Sequence, residues 1–205
     1  MSNTGQHGKF KRIDEKFMEE AFNAFGAIEA VQNKYGKTDN DTVINEARDA
    51  KVSSILGYDY INTDKHGWDS MNDVGKFLEV KQASASSHSI GATFNDTSID
   101  KTEELATGDV EIALAVWSSM RNLLFIVHGV NPDIGPHMKQ KIIAATERGN
   151  IRPGTVTISM KDLLVKYGFK VRPVSFTKDQ TSEFLFGKMK KLHKEINEIP
   201  FDNEA

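Results

Sequence analysis

Apolar residues recur at intervals of three and four in the first part of the chain, and this is the period of an amphipathic helix. The period predicts a first helix over residues 13–35. A second helix is predicted to begin near Asp39 or Asp41, because either side chain can act as an N-cap, and to end at Gly57. The N-terminal residues 1–11 are small, polar and glycine-containing, so a flexible tail is expected there.

After the second helix the pattern changes to short runs of β-forming residues that are separated by turn residues. Strands are predicted at 58–62, 76–82, 110–117, 123–128, 156–159 and 169–174. Helices are predicted at about 99–105, 138–148, 160–167 and 181–196, with a turn at 132–135. The segment 84–89 is expected to be a polar loop, and 93–98 to lead into a helix. This order predicts an α/β fold with a mixed central sheet flanked by helices, and residues 12–205 are expected to form one domain.

The composition narrows the classes of protein that the chain can belong to. With no cysteine among 205 residues, disulfides, thiolate catalysis and cysteine-based zinc sites are excluded. A polar N-terminus and the lack of a long apolar run lead us to expect a soluble, cytoplasmic protein without a membrane partner. The net charge of -3 is unusual for a protein that binds nucleic acid, but a basic groove can coexist with acidic faces.

The pattern most informative about chemistry is Asp69 followed by Glu79 and Lys81 on an apolar strand. Glu79 and Lys81 share one face of that strand, since alternate side chains of a strand point the same way. Turn residues at 72–75 would fold Asp69 back beside Glu79 in a hairpin. Two carboxylates with one lysine suit Mg²⁺, which prefers oxygen ligands and shares its shell with substrate phosphate. This arrangement predicts a site for phosphodiester hydrolysis.

Asp69 followed by Glu79-Val80-Lys81 resembles the signature of the PD-(D/E)XK nuclease superfamily. The resemblance covers about residues 46–83, with Trp68 standing where many members have proline. It implies a restriction-endonuclease-like fold with its catalytic core at about 40–130. It also implies Mg²⁺, with Mn²⁺ as a substitute, held by Asp69, Glu79 and Val80, and catalysis that involves Lys81.

The resemblance further implies an acidic residue on the helix before the strand, and Glu46 is the residue at that place in this chain. For contacts to DNA, the polar segments after the catalytic strand supply hydroxyl, amide and ammonium groups. The candidates are Gln82, Ser84, Ser86, Asn95, Thr97 and Lys101. A solvated loop that caps the next helix accounts for these segments equally well, and the lysines at 188–194 suit a solvated helix face.

Simpler explanations exist for each residue of the motif. Glu79 and Lys81 can form an ordinary ion pair on an exposed strand face, which contributes little stability. Asp69 can shape a turn. Asp59 competes with it for the role of first ligand, more strongly than Asp64 and Asp73, which lie in turns. The six histidines include no closely spaced pair of the kind that binds zinc, and the Gly-Lys-Thr sequence at 36–38 lacks the first glycine of a P-loop.

We therefore expect a magnesium-dependent DNA endonuclease. The resemblance is greatest to a site-specific type II restriction endonuclease that acts on double-stranded DNA as a homodimer and leaves a 5′-phosphate. The alternatives are a phage or repair nuclease such as a Holliday-junction resolvase, and a non-catalytic protein that binds nucleic acid or a protein partner. A metal-dependent hydrolase for another phosphate ester is a third possibility.

Overall fold

The computed structural model describes residues 15–34, 43–61, 67–189 and 200–202. The chain divides into two compact units, one ending at Ala47 and the other beginning at Arg48. The first unit contains α1 (Glu15–Lys34), close to the predicted first helix. Helix α2 (Val43–Leu56) begins in the first unit and ends in the second, and Gly57 follows it with a positive φ, as the sequence predicts. The predicted tail at 1–11 lies outside the described residues.

The second unit is a mixed α/β structure with a mixed central sheet flanked by helices. Its six-stranded sheet has the order β1-β2-β3-β5-β6-β8, and β4 and β7 form a separate two-stranded sheet. The strands are β1 (Asp59–Tyr60), β2 (Ser70–Met71), β3 (Phe77–Ser84), β4 (Gly91–Phe94), β5 (Val110–Trp117), β6 (Leu123–Gly129), β7 (Val156–Ser159) and β8 (Lys170–Pro173). The helices are α3 (Ile99–Thr107), α4 (Ile134–Glu147), a short π-helix (Asp162–Lys166) and α5 (Lys178–Lys188).

Strands β3 and β5 form the centre of the sheet and run parallel, whereas the other pairs in this sheet are antiparallel. A parallel pair is covered on both faces, which explains the nearly continuous apolar sequence of β5. On one face Leu78 and Val80 pack with Ala113, Ala115 and α2. The larger core lies on the other face, where residues of β4, α3, α4 and β7 pack together. Glu79 and Lys81 are thus charged residues on the face of β3 opposite Leu78 and Val80, beside the larger apolar core.

The structure corrects several predicted boundaries. Residues 93–98 do not simply lead into a helix, because Thr93 and Phe94 belong to β4 and pair with Thr157 and Val156 of β7. Strand β3 continues to Ser84, into the predicted loop. Helix α4 begins at residue 134, inside the predicted turn at 132–135. The last helix begins at Lys178 and ends at Lys188, so it starts before and stops short of the predicted span 181–196, whose residues 190–196 lie outside the described ranges.

None of the helices in the described ranges has the length and apolar character that crossing a membrane requires.

Candidate functional site

The hairpin predicted between Asp69 and Glu79 is present. Strand β2 pairs antiparallel with β3, so that Ser70 lies opposite Leu78. The turn between them closes through a hydrogen bond of 2.9 Å from Gly75 N–H to the carbonyl of Asn72, and Gly75 has φ +78°. A positive φ favours glycine, so this residue lets the chain reverse without strain. The hairpin returns Asp69 to the edge of β3.

Asp69 is fixed to β3 by two hydrogen bonds. Its backbone N–H donates to the carbonyl of Leu78 at 3.0 Å, and its carboxylate accepts from the N–H of Val80 at 2.7 Å. The N–H and C=O of a strand residue point to the same neighbour. The carbonyl of Val80 is therefore directed towards the edge where the Asp69 carboxylate lies. This places two oxygen ligands predicted from the sequence on one side of β3.

Glu79 and Lys81 form a close ion pair, with 2.6 Å between Glu79 Oε1 and Lys81 Nζ. The Glu79 side chain is only 5% exposed and that of Lys81 is 20% exposed. The alternative of an ion pair on a solvated strand face is therefore wrong. A buried carboxylate without a partner is costly, and removing one member of a buried pair typically costs about 3–5 kcal/mol. The ion pair with Lys81 offsets the cost of burying the Glu79 carboxylate.

A second lysine, Lys101 of α3, also contacts Glu79. Its Nζ lies 3.4 Å from both carboxylate oxygens of Glu79. The same ammonium lies 4.3 Å from the centre of the Trp68 ring, a cation–π distance. Trp68 is buried, and its indole N–H donates to Glu104 at 3.0 Å. Lys101 was expected as a contact for DNA, and the structure brings it to the carboxylate of the motif.

An acidic residue of α2 also lies at the site, and it is Asp49. Its carboxylate accepts a hydrogen bond of 2.7 Å from the side-chain amide of Gln82. The Gln82 side-chain oxygen accepts a hydrogen bond of 3.2 Å from Arg48. Arg48 also donates to the backbone carbonyls of Ser119 and Met120. Gln82, expected to contact DNA, is thus part of a side-chain network that joins α2 to β3.

Burial and the charges at the site shift the pKa values of three groups. Burial, with the neighbouring charge of Glu79, raises the pKa of Asp69 to about 6, although Lys81 opposes this. Burial, with the charge of Asp69, raises the pKa of Asp49 to about 7 against the hydrogen bond from Gln82. Burial lowers the pKa of Lys81, but the charge and hydrogen bond of Glu79 outweigh this and the pKa is raised. Burial and mutual repulsion therefore disfavour the charged forms of Asp49 and Asp69.

The donor set fits a hard divalent cation that keeps part of its water shell. Asp69 and Glu79 supply carboxylate oxygens, and the Val80 carbonyl is directed to the same edge. No group of three or more His, Asp or Glu side chains suitable for an ion occurs in the described part of the chain. A site built here would thus have two carboxylates and one backbone carbonyl as protein ligands, which agrees with the preference of Mg²⁺ for few protein ligands and several waters.

The remaining predicted site residues occupy varied positions. Ser84 and Ser86 are exposed and lie within hydrogen-bonding distance of each other, and Asn95 is exposed. Thr97 is buried at 5%, and its N–H donates to the carbonyl of Gly154, so its side chain offers little surface to a ligand. Glu46 lies in the first turn of α2, in the unit that ends at Ala47, and its role stays a prediction.

The rival residues differ in placement from Asp69. Asp59 lies in β1 opposite Met71 and is exposed, and Asp73 is exposed in the hairpin turn. Among the histidines, His128 is buried between Glu111 and Asp202, at 2.6 Å and 2.9 Å. This network joins β5 and β6 to the segment at 200–202, so His128 contributes to the fold.

Sequence reasoning missed Asp49 and the proximity of Lys101 to Glu79. A signal for Asp49 was available, since it lies three residues after Glu46 and therefore on a neighbouring part of the helix surface. Choosing between them requires the orientation of α2 relative to the sheet. Lys101 lies 22 residues after Glu79, and no local period connects them.

Comparison with known protein families finds no family model that matches the chain, and comparison with curated proteins finds no match either.

Proposed function

We propose that the protein is a magnesium-dependent DNA endonuclease of the PD-(D/E)XK type, with a restriction-endonuclease-like core. The observation that carries the proposal is the attachment of the Asp69 carboxylate to the N–H of Val80, between Glu79 and Lys81. An Asp that only shaped a turn would not need this bond to the neighbouring strand. Two carboxylates, a carbonyl and an ammonium on one strand edge are the groups that phosphodiester hydrolysis uses.

The residues have distinct tasks in this proposal. Asp69, Glu79 and the Val80 carbonyl would hold Mg²⁺, which would polarise the phosphate and make a bound water more acidic. Lys81 donates a hydrogen bond to a non-bridging phosphate oxygen and offsets the charge that develops there. Its raised pKa favours this role over that of a general base. The attacking water loses a proton to solvent as its oxygen bonds to phosphorus and the bond to the 3′-oxygen breaks. The 3′-oxygen takes up a proton from solvent, and the 5′-phosphate remains on the other fragment.

Asp49 and Gln82 support this strand edge from α2. The hydrogen bond between them, together with the contact of Arg48, fixes the end of β3 relative to the helix. Asp49 also contributes negative charge near Asp69, which raises the attraction for a divalent cation. We assign Asp49 a positioning role in the site, whereas the resemblance implies Glu46 as the acidic residue that this helix directs to the metal.

The substrate in this proposal is double-stranded DNA, cut at a specific site as by a type II restriction endonuclease. A homodimer accompanies this assignment, because a protein with two-fold symmetry matches a palindromic site. Mn²⁺ would replace Mg²⁺, since it accepts the same oxygen ligands.

The test is incubation of the full chain with unmethylated phage and plasmid DNA in Mg²⁺ or Mn²⁺, with products separated on a gel. We expect discrete DNA fragments from the wild-type protein. No fragments should form when EDTA is added or when Lys81→Ala replaces the wild-type protein. A smear would indicate a nuclease without site preference, as expected of a phage or repair enzyme. Hydrolysis of bis(p-nitrophenyl) phosphate without any cut DNA would indicate another phosphate ester as substrate. The proposal is wrong if the folded protein cuts no DNA with either ion.

A further inference from the structure

Two lysines contact the same buried carboxylate, and their contacts differ. Lys81 approaches one oxygen of Glu79 at 2.6 Å, whereas Lys101 lies 3.4 Å from both oxygens. Lys81 is on β3, two residues from Glu79, so the strand itself maintains that pair. Lys101 reaches Glu79 from α3, a different element. The Lys101 contact is therefore the weaker and the more easily exchanged of the two.

Lys101 occupies an unfavourable place in its own helix. It is the third residue of α3, where the backbone N–H donates to the N-cap Ser98 at 3.1 Å. The N-terminal end of a helix carries partial positive charge, so an ammonium there is disfavoured. Its contacts with Glu79, with the Trp68 ring and with the carbonyl of Gly67 at 3.5 Å compensate for this. An ammonium held in this way is positioned by tertiary contacts and not by its helix.

Trp68 gives Lys101 a second anchor that does not depend on Glu79. The ring face lies 4.3 Å from Nζ, and its N–H is fixed by Glu104 of α3, the helix that carries Lys101. An ammonium over an indole face keeps its hydrogen-bond donors available for another acceptor. If Glu79 were withdrawn, the Trp68 ring would still hold the Lys101 ammonium near the site.

A divalent cation bound to Glu79 would repel an ammonium at the same carboxylate. One of the lysine contacts must then weaken, and the longer contact of Lys101 is the one expected to do so. We propose that Lys101 is a second catalytic cation, which leaves Glu79 when the divalent ion binds and donates to a phosphate oxygen of the substrate while Trp68 positions it. This proposal rests on the proposed function and adds an exchange of partners to it.

The exchange can be observed without cleavage through the fluorescence of Trp68. Trp68 and Trp117 are the two tryptophans of the chain. Trp117→Phe leaves Trp68 as the single reporter and removes a buried N–H that finds no acceptor among the residues the structure describes. Mg²⁺ or Ca²⁺ is expected to change the Trp68 emission in this background and to leave it unchanged when Lys101→Met is added. An emission that does not respond to either ion in the Lys101-containing protein would overturn the exchange.

The affinity for Mg²⁺ tests whether Lys101 competes with the ion for Glu79. Without the competing ammonium, Lys101→Met should bind Mg²⁺ about threefold to tenfold more tightly in calorimetry. A residue that merely supported the fold would not produce tighter binding. Weaker binding of Mg²⁺ by a folded Lys101→Met protein would contradict the competition at Glu79.

Cleavage provides the second arm of the test. At saturating Mg²⁺, Lys101→Met should lower kcat at least about tenfold with little change in the KM for DNA, and Lys101→Arg should recover part of the loss. Lys139→Met is the matched control, because Lys139 pairs with Glu103 of α3 on an exposed surface. Wild-type cleavage by Lys101→Met would overturn the catalytic role. If the wild-type protein itself cut no DNA, the proposed function would fail, whereas the fluorescence and calorimetry would still report on the exchange.

Discussion

The carboxylate of Asp69 accepts a 2.7 Å hydrogen bond from the backbone N–H of Val80, the residue that separates Glu79 from Lys81. This bond fixes Asp69 at the edge of β3, the strand that carries Glu79 and Lys81, so the three residues of the motif lie close together. The hairpin turn at Gly75 makes the bond possible, because it returns Asp69, the residue just before β2 begins at Ser70, to the edge of β3.

Asp69→Asn should abolish cleavage while the fold survives. Asparagine keeps an oxygen that accepts from Val80 N–H, but it is a poorer ligand for Mg²⁺ because it lacks the negative charge. We expect a loss of at least about 100-fold in the cleavage rate with an unchanged circular dichroism spectrum. Asp73→Asn is the matched control, since Asp73 is exposed in the same hairpin. Equal losses from the two substitutions would mean that the hairpin, and not a ligand, was affected.

The Glu79–Lys81 pair should show strong coupling in stability. Lys81→Met leaves Glu79 buried with only the longer Lys101 contact, so a loss of about 2–3 kcal/mol is expected from urea unfolding. Adding Glu79→Gln removes the buried charge, and the double variant should be more stable than the sum of the single losses predicts, by at least about 1 kcal/mol. Lys76→Met, at an exposed residue just before β3, is the control. Additive losses would show that the two side chains do not interact.

Asp49→Asn should stabilise the protein at pH 8 and slow the reaction. Burial raises the pKa of Asp49 to about 7, which means that its charged form is disfavoured in the folded state. Asparagine keeps the oxygen that accepts from Gln82 and removes the charge. We expect about 1 kcal/mol of added stability in thermal unfolding without Mg²⁺, and a loss of about tenfold in cleavage. Asp59→Asn, at an exposed residue of β1, should change neither quantity.

Stability should also depend on pH through His128. Burial lowers the pKa of His128, but the hydrogen bond and charge of Glu111 and the charge of Asp202 outweigh this and the pKa is raised. The pKa of Glu111 is lowered, because the hydrogen bonds from His128 and Tyr58 outweigh its burial. The histidine contribution is complete below its ordinary pKa of 6.5 and is lost as pH rises through the folded value. The Glu111 contribution is complete above 4.5 and is lost as pH falls through its folded value.

The network around His128 is therefore most stabilising between these two ordinary pKa values. Thermal unfolding of the wild-type protein should show a clear loss of stability between pH 5.5 and pH 8.5, and His128→Gln should reduce that loss by about 1 kcal/mol or more. His88→Gln, at an exposed histidine, should leave the pH profile as it is. A profile that is the same in wild type and His128→Gln would mean that the ion pairs contribute nothing to folding.

Local patterns in the sequence were sufficient for much of the fold. Alternation and apolar runs predicted the strands 110–117 and 156–159 with the bounds that the structure has. The turn residues at 72–75 predicted the hairpin, and alternation predicted that Glu79 and Lys81 face away from Leu78 and Val80. These features depend on neighbours within about ten residues, which is the range over which side-chain period and turn chemistry act.

The sequence by itself determined that two carboxylates and a lysine meet at one strand, because a period of two and a tight turn leave little choice. Tertiary structure alone decided that Asp49 reaches Gln82, that Lys101 lies against Glu79, and that β4 pairs with β7 more than 60 residues away. These contacts depend on how helices rotate and pack against the sheet. Packing satisfies all the elements together, so no single segment of the chain encodes it.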